Sequence, residues 1–325
     1  MSRKTIAVLC SGGDAPGMNA AVRSVVRAAL ARGWHVLGVE RGYQGLLEER
    51  LNIMTHRSVS GIIHRGGTVL KTSRSRRFRT PEGVKRAAEV LREYKISALV
   101  VIGGNGSCRG LLDLSEHWNG QTIALPGTID NDLNGTDYTI GYDTAVNVAL
   151  EAIDRLRDTA ESLERTFIVE VMGRDSGFNA LDVALAAGAE QALIPEVPVS
   201  LGDVLANVQA ARAKGKTSNI LVVAEGFPPG GAASVARYLT EHDNPDFYRL
   251  CVLGHVQRGG APTAKDRLLA TRLGAAAVEA LDQGASGVLV GEIAGRSTQT
   301  PLRQAVDVRK PAATELLDLL DILSR

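Results

Sequence analysis

Asp130 and Asp132 stand two residues apart in the run Thr128-Ile-Asp-Asn-Asp132. In an extended segment, residues i and i+2 face the same side. Both carboxylates could then meet one hydroxyl, the first as general base and the second as charge anchor or metal contact. Beside Asn134-Gly135 the same run also suits Asx-turn chemistry, so both readings stand on the residues alone. A second kind of chemistry is suggested by glycine. Ser11-Gly12-Gly13-Asp14, Gly103-Gly104-Asn105-Gly106-Ser107 and Pro126-Gly127 each follow a short apolar run. Glycines let the backbone approach a phosphate, and the free N–H groups of a helix start favour an anion. One such loop is equally an ordinary tight turn, but several on one sheet point to an extended polyphosphate ligand. None is a G-x-G-x-x-G fingerprint or a Walker A loop.

Basic side chains form a third group. Arg165, Arg174, Arg249 and Arg258, with His255, fall around apolar runs of the second half. A guanidinium fork grips phosphate oxygens, which points to a phosphorylated substrate, although surface arginines are usually just solvated. Arg23 and Arg27 sit at i, i+4, and Lys214 and Lys216 flank Gly215. These pairs suit a second anion or an ordinary solvated face.

The elements that must position these residues alternate along the chain. Apolar, β-branched runs predict strands at Thr5–Leu9, Trp34–Val39, Ala98–Ile102, Gln121–Leu125, Thr166–Val171, Ala192–Ile194, Asn219–Ala224, Leu250–Leu253 and Gly287–Val290. Helical spacing predicts Ala20–Ala31, Pro81–Tyr94 and Thr144–Asp158, with Pro81 at a first helical position. Arg65–Arg79 reads as a long irregular segment. Strands separated by helices mean a parallel α/β sheet with helices on both faces. In such sheets ligands sit outside the carboxyl ends of the strands. The glycine loops, Met172-Gly173-Arg174, Glu225-Gly226 and Gly254-His255 all fall at those ends.

Composition narrows the partners. At roughly 100–200 residues per domain, 325 residues predict about two domains. Hydrophobic residues at 44% and charged residues at 22% exclude a disordered chain. Lys+Arg 37 against Asp+Glu 36 leaves a net charge of +1, so no global field recommends nucleic acid or a membrane surface. No apolar run approaches the roughly 18 residues of a membrane span. The residues after Arg3-Lys4 do not read as a signal peptide. Three scattered cysteines, Cys10, Cys108 and Cys251, make no disulfide framework or metal pair, and predict a reducing cytoplasm.

The runs Leu9–Arg23 (LCSGGDAPGMNAAVR), Pro126–Ile140 (PGTIDNDLNGTDYTI), Glu170–Arg174 (EVMGR) and Leu253–Gly260 (LGHVQRGG) resemble the bacterial ATP-dependent 6-phosphofructokinases. The resemblance extends over essentially the whole chain. It implies phosphorylation of the 1-hydroxyl of fructose 6-phosphate by ATP with Mg²⁺, in a cytoplasmic homotetramer. It also implies two αβα domains with largely parallel sheets and the active site in the cleft between them. Residues 1–141 plus 257–306 would form the larger, ATP-binding domain, and 142–256 plus 307–325 the smaller, sugar-phosphate domain. By motif position, Asp130 resembles the catalytic base, and Thr128 and Asp132 match residues contacting the sugar and the transferring phosphate. Gly13 and Arg174 would stabilise that phosphate. Arg74, Arg79, Gly104, Gly106, Ser107 and Gly110 would line the ATP site. Met172, Gly173, Glu225 and His255 would hold the sugar. Arg165, Arg249 and Arg258 would grip the 6-phosphate, two of them arriving from a neighbouring subunit.

Arg23, Arg27, Arg157, Glu190, Lys214 and Lys216 match the family's effector site for ADP or phosphoenolpyruvate. Arg57 stands there in place of a stacking tyrosine, Gly61 in place of an acid and Thr217 in place of a lysine. Another departure lies at the metal position, where the family reads Gly-Gly-Asp-Gly-Ser and this chain has Asn105. An amide keeps one acceptor oxygen but forfeits a full charge beside a hard cation. That substitution motivates the reading as a silent, ligand-binding regulatory form. A pyrophosphate-dependent enzyme is the other rival. Such enzymes tend to carry Asp and Lys where this chain has Gly106 and Gly127, which favours ATP.

Overall fold

The run Ala98–Ile102 is apolar throughout, as a strand covered on both faces must be. In the computed structural model, which describes residues 4–324, it lies in the middle strand of a seven-stranded sheet. In chain order the elements are β1 (Thr5–Ser11), α1 (Met18–Ala31), β2 (His35–Val39), α2 (Gly42–Leu47), β3 (Leu51–Ile53), α3 (Pro81–Glu93), β4 (Ala98–Gly103), α4 (Asn105–Ser115) and β5 (Gln121–Pro126). Then follow α5 (Tyr142–Leu163), β6 (Thr166–Val171), α6 (Phe178–Ala187), β7 (Gln191–Leu193), α7 (Leu201–Ala213), β8 (Asn219–Ala224), α8 (Gly231–His242) and β9 (Tyr248–Val252). The chain closes with α9 (Ala264–Asp282), β10 (Val288–Ile293), β11 (Arg296–Pro301), α10 (Leu302–Asp307) and α11 (Glu315–Ser324).

Two compact units result. The first takes the chain up to Thr128, with Asp132–Thr144 and Arg258–Lys310; the second takes Ile129–Asn131, Ala145–Gln257 and the chain from Pro311 on. The first holds the sheet β11-β10-β5-β4-β1-β2-β3, parallel except at β2–β3 and β10–β11. Alternate residues of its strands divide between two faces. Leu9, Leu99, Val101 and Ala124 pack with Leu46, Leu91, Leu111 and Leu114 of α2, α3 and α4. On the other side α1 lies against α9, where the Ser24 hydroxyl donates to the Thr271 carbonyl (2.6 Å). The second unit is a parallel four-stranded sheet, β7-β8-β6-β9. Val169 and Val222 face Leu181 of α6 and Leu320 of α11, while Ile168 and Leu221 face Val204 of α7 and Leu239 of α8. Each fully buried side chain of this size contributes about 1.5–3 kcal/mol. The fold is therefore α/β with largely parallel sheets.

Local signals account for some boundaries, with side-chain caps at α3, α7 and α9. Thr80 caps α3, accepting from the Gly83 N–H at 3.1 Å, ahead of Pro81 and Glu82; such a cap is worth about 1 kcal/mol. Differences from expectation have physical reasons. Helix α5 begins before Thr144 and runs past Asp158. The N–H groups of Gly141 and Thr144 at its start are held by Asp266 of α9 (both 2.8 Å), so no local cap marks it. The sheet also gains two edge strands, β3, only three residues long, and β11, whose polar residues disguise it.

Candidate active site

In the first unit β1 delivers the first glycine loop, where Gly12 has φ +90°, a conformation that glycine adopts without strain. The Thr72 hydroxyl donates to the Gly12 carbonyl (2.7 Å), and Arg258 Nη1 donates to the Asp14 carbonyl (3.1 Å). That guanidinium lies across Gly13, where a Cβ would stand 2.6 Å from Nη1. Strand β4 ends at Gly103, Gly104 precedes α4, and Asn105, Gly106 and Ser107 form the helix's first turn. Helix starts leave N–H groups without intrahelical partners, and the space beside Gly106 is open: a Cβ there would meet nothing within 4 Å. The Ser107 carbonyl accepts from the Tyr43 hydroxyl (2.7 Å), and Tyr43 stacks on Phe78 at 4.0 Å. Phe78 in turn packs against Gly110, where a Cβ would come within 2.9 Å. This anchors the basic segment carrying Arg74 and Arg79, both exposed.

Asn105 Nδ2 donates to Asp132 Oδ2 (3.3 Å). The remaining oxygens, Asn105 Oδ1 and Asp132 Oδ1, are buried and accept no hydrogen bond among the described residues. Two orphaned oxygens on hydrogen-bonded neighbours fit a divalent cation held chiefly by a nucleotide's phosphates. No group of three or more His, Cys, Asp or Glu among the described residues would hold a metal unaided.

The segment linking these aspartates is not extended. Asn131 has φ +52°, in the left-handed region, so simple alternation does not place Asp130 and Asp132 on one side. Asp130 (3% exposed) groups with the second unit and Asp132 with the first. The Thr128 carbonyl accepts from the Thr139 hydroxyl (2.6 Å).

In the second unit β6 leads to Met172-Gly173-Arg174. The Met172 N–H donates to Gln257 Oε1 (2.7 Å), itself fully buried. Glu225, just past β8, accepts from the N–H groups of Gly173 (3.1 Å) and Arg174 (2.6 Å). Arg174 takes φ +54° and its side chain is exposed. His255 follows β9, also exposed. Arg165 and Arg249 lie elsewhere. Arg165 precedes β6, and Arg249 pairs with Phe167 near the strand's start. They stand at the amino ends of a parallel sheet, roughly 20 Å of strand from Met172, Arg174 and Glu225. The five basic residues of the second half are thus not one group within the chain. Sequence reasoning also missed Gln257 as a holder of Met172, and Ser176 and Asn179, whose partners are backbone carbonyls far away in the chain.

A cavity of about 560 Å³ in the second unit is lined by Glu190, Lys214, Gly215, Lys216, Asp321 and Ser324, among others. Lys216 Nζ lies 2.9 Å from Glu190 Oε1 and donates to the Ser324 carbonyl (3.1 Å). Arg157 donates to the Ala187 carbonyl (2.6 Å) at the end of α6. Arg23 and Arg27 belong to the first unit, half-buried on α1, with Arg27 Nε donating no hydrogen bond among the described residues. Arg57, Gly61 and Thr217 are exposed.

Glycine loops, an amide–carboxylate pair and guanidinium groups at the carboxyl ends of parallel strands define an α/β protein suited to phosphate-bearing ligands. The Phosphofructokinase family matches residues 5–281. The ATP-dependent 6-phosphofructokinase 1 of Thermus thermophilus is 55% identical over 321 residues, covering 99% of both chains. The ATP-dependent 6-phosphofructokinase of Clostridioides difficile is 49% identical with the same coverage. The chain belongs to the phosphofructokinase family. Among solved structures, phosphofructokinase from Saccharomyces cerevisiae superposes with a TM-score of 0.87 at 37% identity; 99% of this chain is covered, but only 48% of that one. A pyrophosphate-dependent phosphofructokinase from Marinobacter aquaeolei gives 0.81 at 25% identity, with coverages of 96% and 86%.

Proposed function

We propose that the chain transfers the γ-phosphoryl group of ATP to the 1-hydroxyl of fructose 6-phosphate, giving fructose 1,6-bisphosphate and ADP, the committed step of glycolysis. The observation that carries this reading is the first turn of α4, open beside Gly106 and bonded through Asn105 to Asp132, two residues beyond Asp130. Gly13, Gly104, Gly106, Ser107 and Gly110 let the nucleotide's phosphates approach the backbone, and Arg74 and Arg79 supply positive charge. Met172, Gly173, Glu225 and His255 hold the sugar, and Thr128 and Asp132 orient the reacting groups. Asp130 accepts the hydroxyl proton as the sugar oxygen bonds to phosphorus and the bridging bond to ADP breaks. Arg174 and the Gly13 backbone stabilise the charge on the phosphoryl oxygens, so catalysis is positioning plus electrostatics. Residues 1–141 plus 257–306 serve the nucleotide, and 142–256 plus 307–325 the sugar phosphate. Mg²⁺ would be held by Asn105 Oδ1 and Asp132 Oδ1 together with the nucleotide, and supplies charge neutralisation when bound.

Pyrophosphate as donor is disfavoured by space. A Cβ on Gly127 would stand 2.8 Å from Ile102 Cγ2 and 3.1 Å from Met18 Cε, so a phosphate-binding lysine there would require these neighbours to shift.

The 6-phosphate is gripped by Arg258 of one chain and by Arg165 and Arg249 of a neighbour, since the latter two lie at the far end of their own sheet. This requires an oligomer, and we assign a homotetramer. Arg23, Arg27, Arg157, Glu190, Lys214 and Lys216 form a regulatory site for ADP or phosphoenolpyruvate. Among the described residues no helix is long and apolar enough to cross a membrane, and Cys10, Cys108 and Cys251 are free thiols. The reading places the reaction in the cytoplasm, with neither membrane nor nucleic acid as partner.

A coupled assay with fructose 6-phosphate, comparing ATP with pyrophosphate, tests the donor. Asp130→Asn tests the base: kcat should fall by roughly 10²–10⁴ with KM for fructose 6-phosphate nearly unchanged. A loss below about tenfold removes Asp130 from that role.

A further inference from the structure

Two buried polar side chains of the second unit are left unused by the reaction described above. Ser176 is 4% exposed and Asn179 is fully buried. Ser176 Oγ donates to the Asp130 carbonyl (2.8 Å) and lies 3.0 Å from the Gly173 carbonyl, which also accepts from the Ser176 N–H (3.0 Å). Asn179 Nδ2 donates to the Ile129 carbonyl (2.7 Å), while its Oδ1 is buried and accepts nothing among the described residues. A half-satisfied buried amide costs folding free energy, so the bond made by its other end calls for a reason.

Both bonds land on one short stretch of backbone. The carbonyls of Ile129 and Asp130 flank the Asp130 Cα, so fixing them fixes where the carboxylate starts. Asn131 next to it is in the left-handed region, a conformation that surrounding contacts must hold. The donors are themselves rigid. Asn179 sits in the first turn of α6, and Ser176 closes the Gly173–Ser176 turn that carries Arg174, whose N–H is held by Glu225. Gly226 presses on that turn so closely that a Cβ would come within 2.0 Å of the Arg174 carbonyl.

We infer that Ser176 and Asn179 are positioning residues for phosphoryl transfer. They tie the backbone of Asp130 to the turn that presents Arg174, and so set the spacing between base and phosphoryl-stabilising guanidinium. The inference rests on the assignment of Asp130 as base.

The test is a double-mutant cycle. Ser176→Ala and Asn179→Leu are made singly and each combined with Asp130→Asn, with kcat, both KM values and thermal melting measured. Each single variant should lose roughly 10- to 100-fold in kcat, the scale of a misplaced reacting group, with KM for ATP and fructose 6-phosphate within about twofold. In the Asp130→Asn background the same changes should alter kcat by less than about twofold, because no base remains to be positioned. A merely structural role would instead lower kcat by equal factors in both backgrounds, and that result overturns the inference. So does undiminished kcat in the single variants while Asp130→Asn is crippled. Undiminished kcat in Asp130→Asn itself overturns the assignment of the base, and the inference with it. If Asn179→Leu does not fold, Ser176→Ala, which removes one oxygen atom, decides by the same cycle.

Discussion

Asn105→Asp restores a carboxylate where this chain carries an amide, and its consequences can be worked from one distance. Asn105 Nδ2 stands 3.3 Å from Asp132 Oδ2 in a hydrogen bond. Replacing the amide by a carboxylate turns that attraction into a repulsion of two unit charges. At this separation it amounts to about 5 kcal/mol at an effective dielectric of 20 and about 1.3 kcal/mol in bulk water. Both residues are half-buried, so the cost lies between these limits. A divalent cation reverses the sign, because the same oxygens then face two positive charges. The substitution should therefore lower the melting temperature in chelator and make it rise more steeply with Mg²⁺ than that of the parent protein, by linkage. In turnover, the added charge matters most where charge develops, so kcat at limiting Mg²⁺ should rise by about tenfold or more, with KM for fructose 6-phosphate unchanged. Tenfold corresponds to only about 1.4 kcal/mol, near the lower bound of the interaction. The assay is a Mg²⁺ titration of kcat at saturating substrates, paired with melts across the same series. Equal turnover at every Mg²⁺ concentration together with equal melting shifts would refute the reasoning. Asn105 would then only shape the start of α4, with water completing the metal's shell.

Lys214→Ala should abolish the response to ADP or phosphoenolpyruvate while leaving turnover without effector near normal, as read from initial rates with and without each effector. Mixed oligomers of Arg165→Ala and Asp130→Asn chains should be more active than either parent, because hybrids contain sites with both residues intact; activity no higher than the parents' average would place Arg165 outside the neighbour's site. Burial lifts the Asp266 carboxyl above its ordinary range, against opposing hydrogen bonds from Thr144 and Gly141. The folded chain then holds this proton more tightly than the unfolded one, so the group's contribution to stability is full below the ordinary aspartate pKa and falls as pH rises through the lifted value. Asp266→Asn should remove that decline and lower the melting temperature at neutral pH, because an amide cannot accept from all three donors; melts in steps upward from about pH 4 check both.

The fold was legible where one strand or helix carries its own signal. Buried on both faces, β4 reads as an unbroken apolar run, and α3 carries Thr80, Pro81 and Glu82 at its start. The signal fails where tertiary structure supplies what the local sequence lacks. Asp266, more than a hundred residues away, holds the start of α5, so nothing near Tyr142 announces it. Among the described residues strand β11 pairs with β10 alone, and its polar residues reflect an exposed edge rather than a buried face. Asn131 defeats the reading of Asp130 and Asp132 as one extended pair, since a left-handed residue breaks the alternation on which that reading depends.

At the site, residue type is legible and anchoring is not. Glycine loops and charged groups could be found because a parallel sheet delivers its ligands to the carboxyl ends of its strands, which sequence locates. Ser176 and Asn179 bond to carbonyls 46 and 50 residues earlier, and a backbone carbonyl looks the same in every residue. No spacing rule could find such a bond. The arginines show the opposite case. Arg165 and Arg174 lie on either side of the six-residue strand β6, which alone spans roughly 20 Å. Two guanidinium groups so separated cannot reach one phosphate ester from the same strand, however similar their chemistry. If both act on one sugar phosphate, the strand's length demands that one of them act on a molecule held by another copy of the chain.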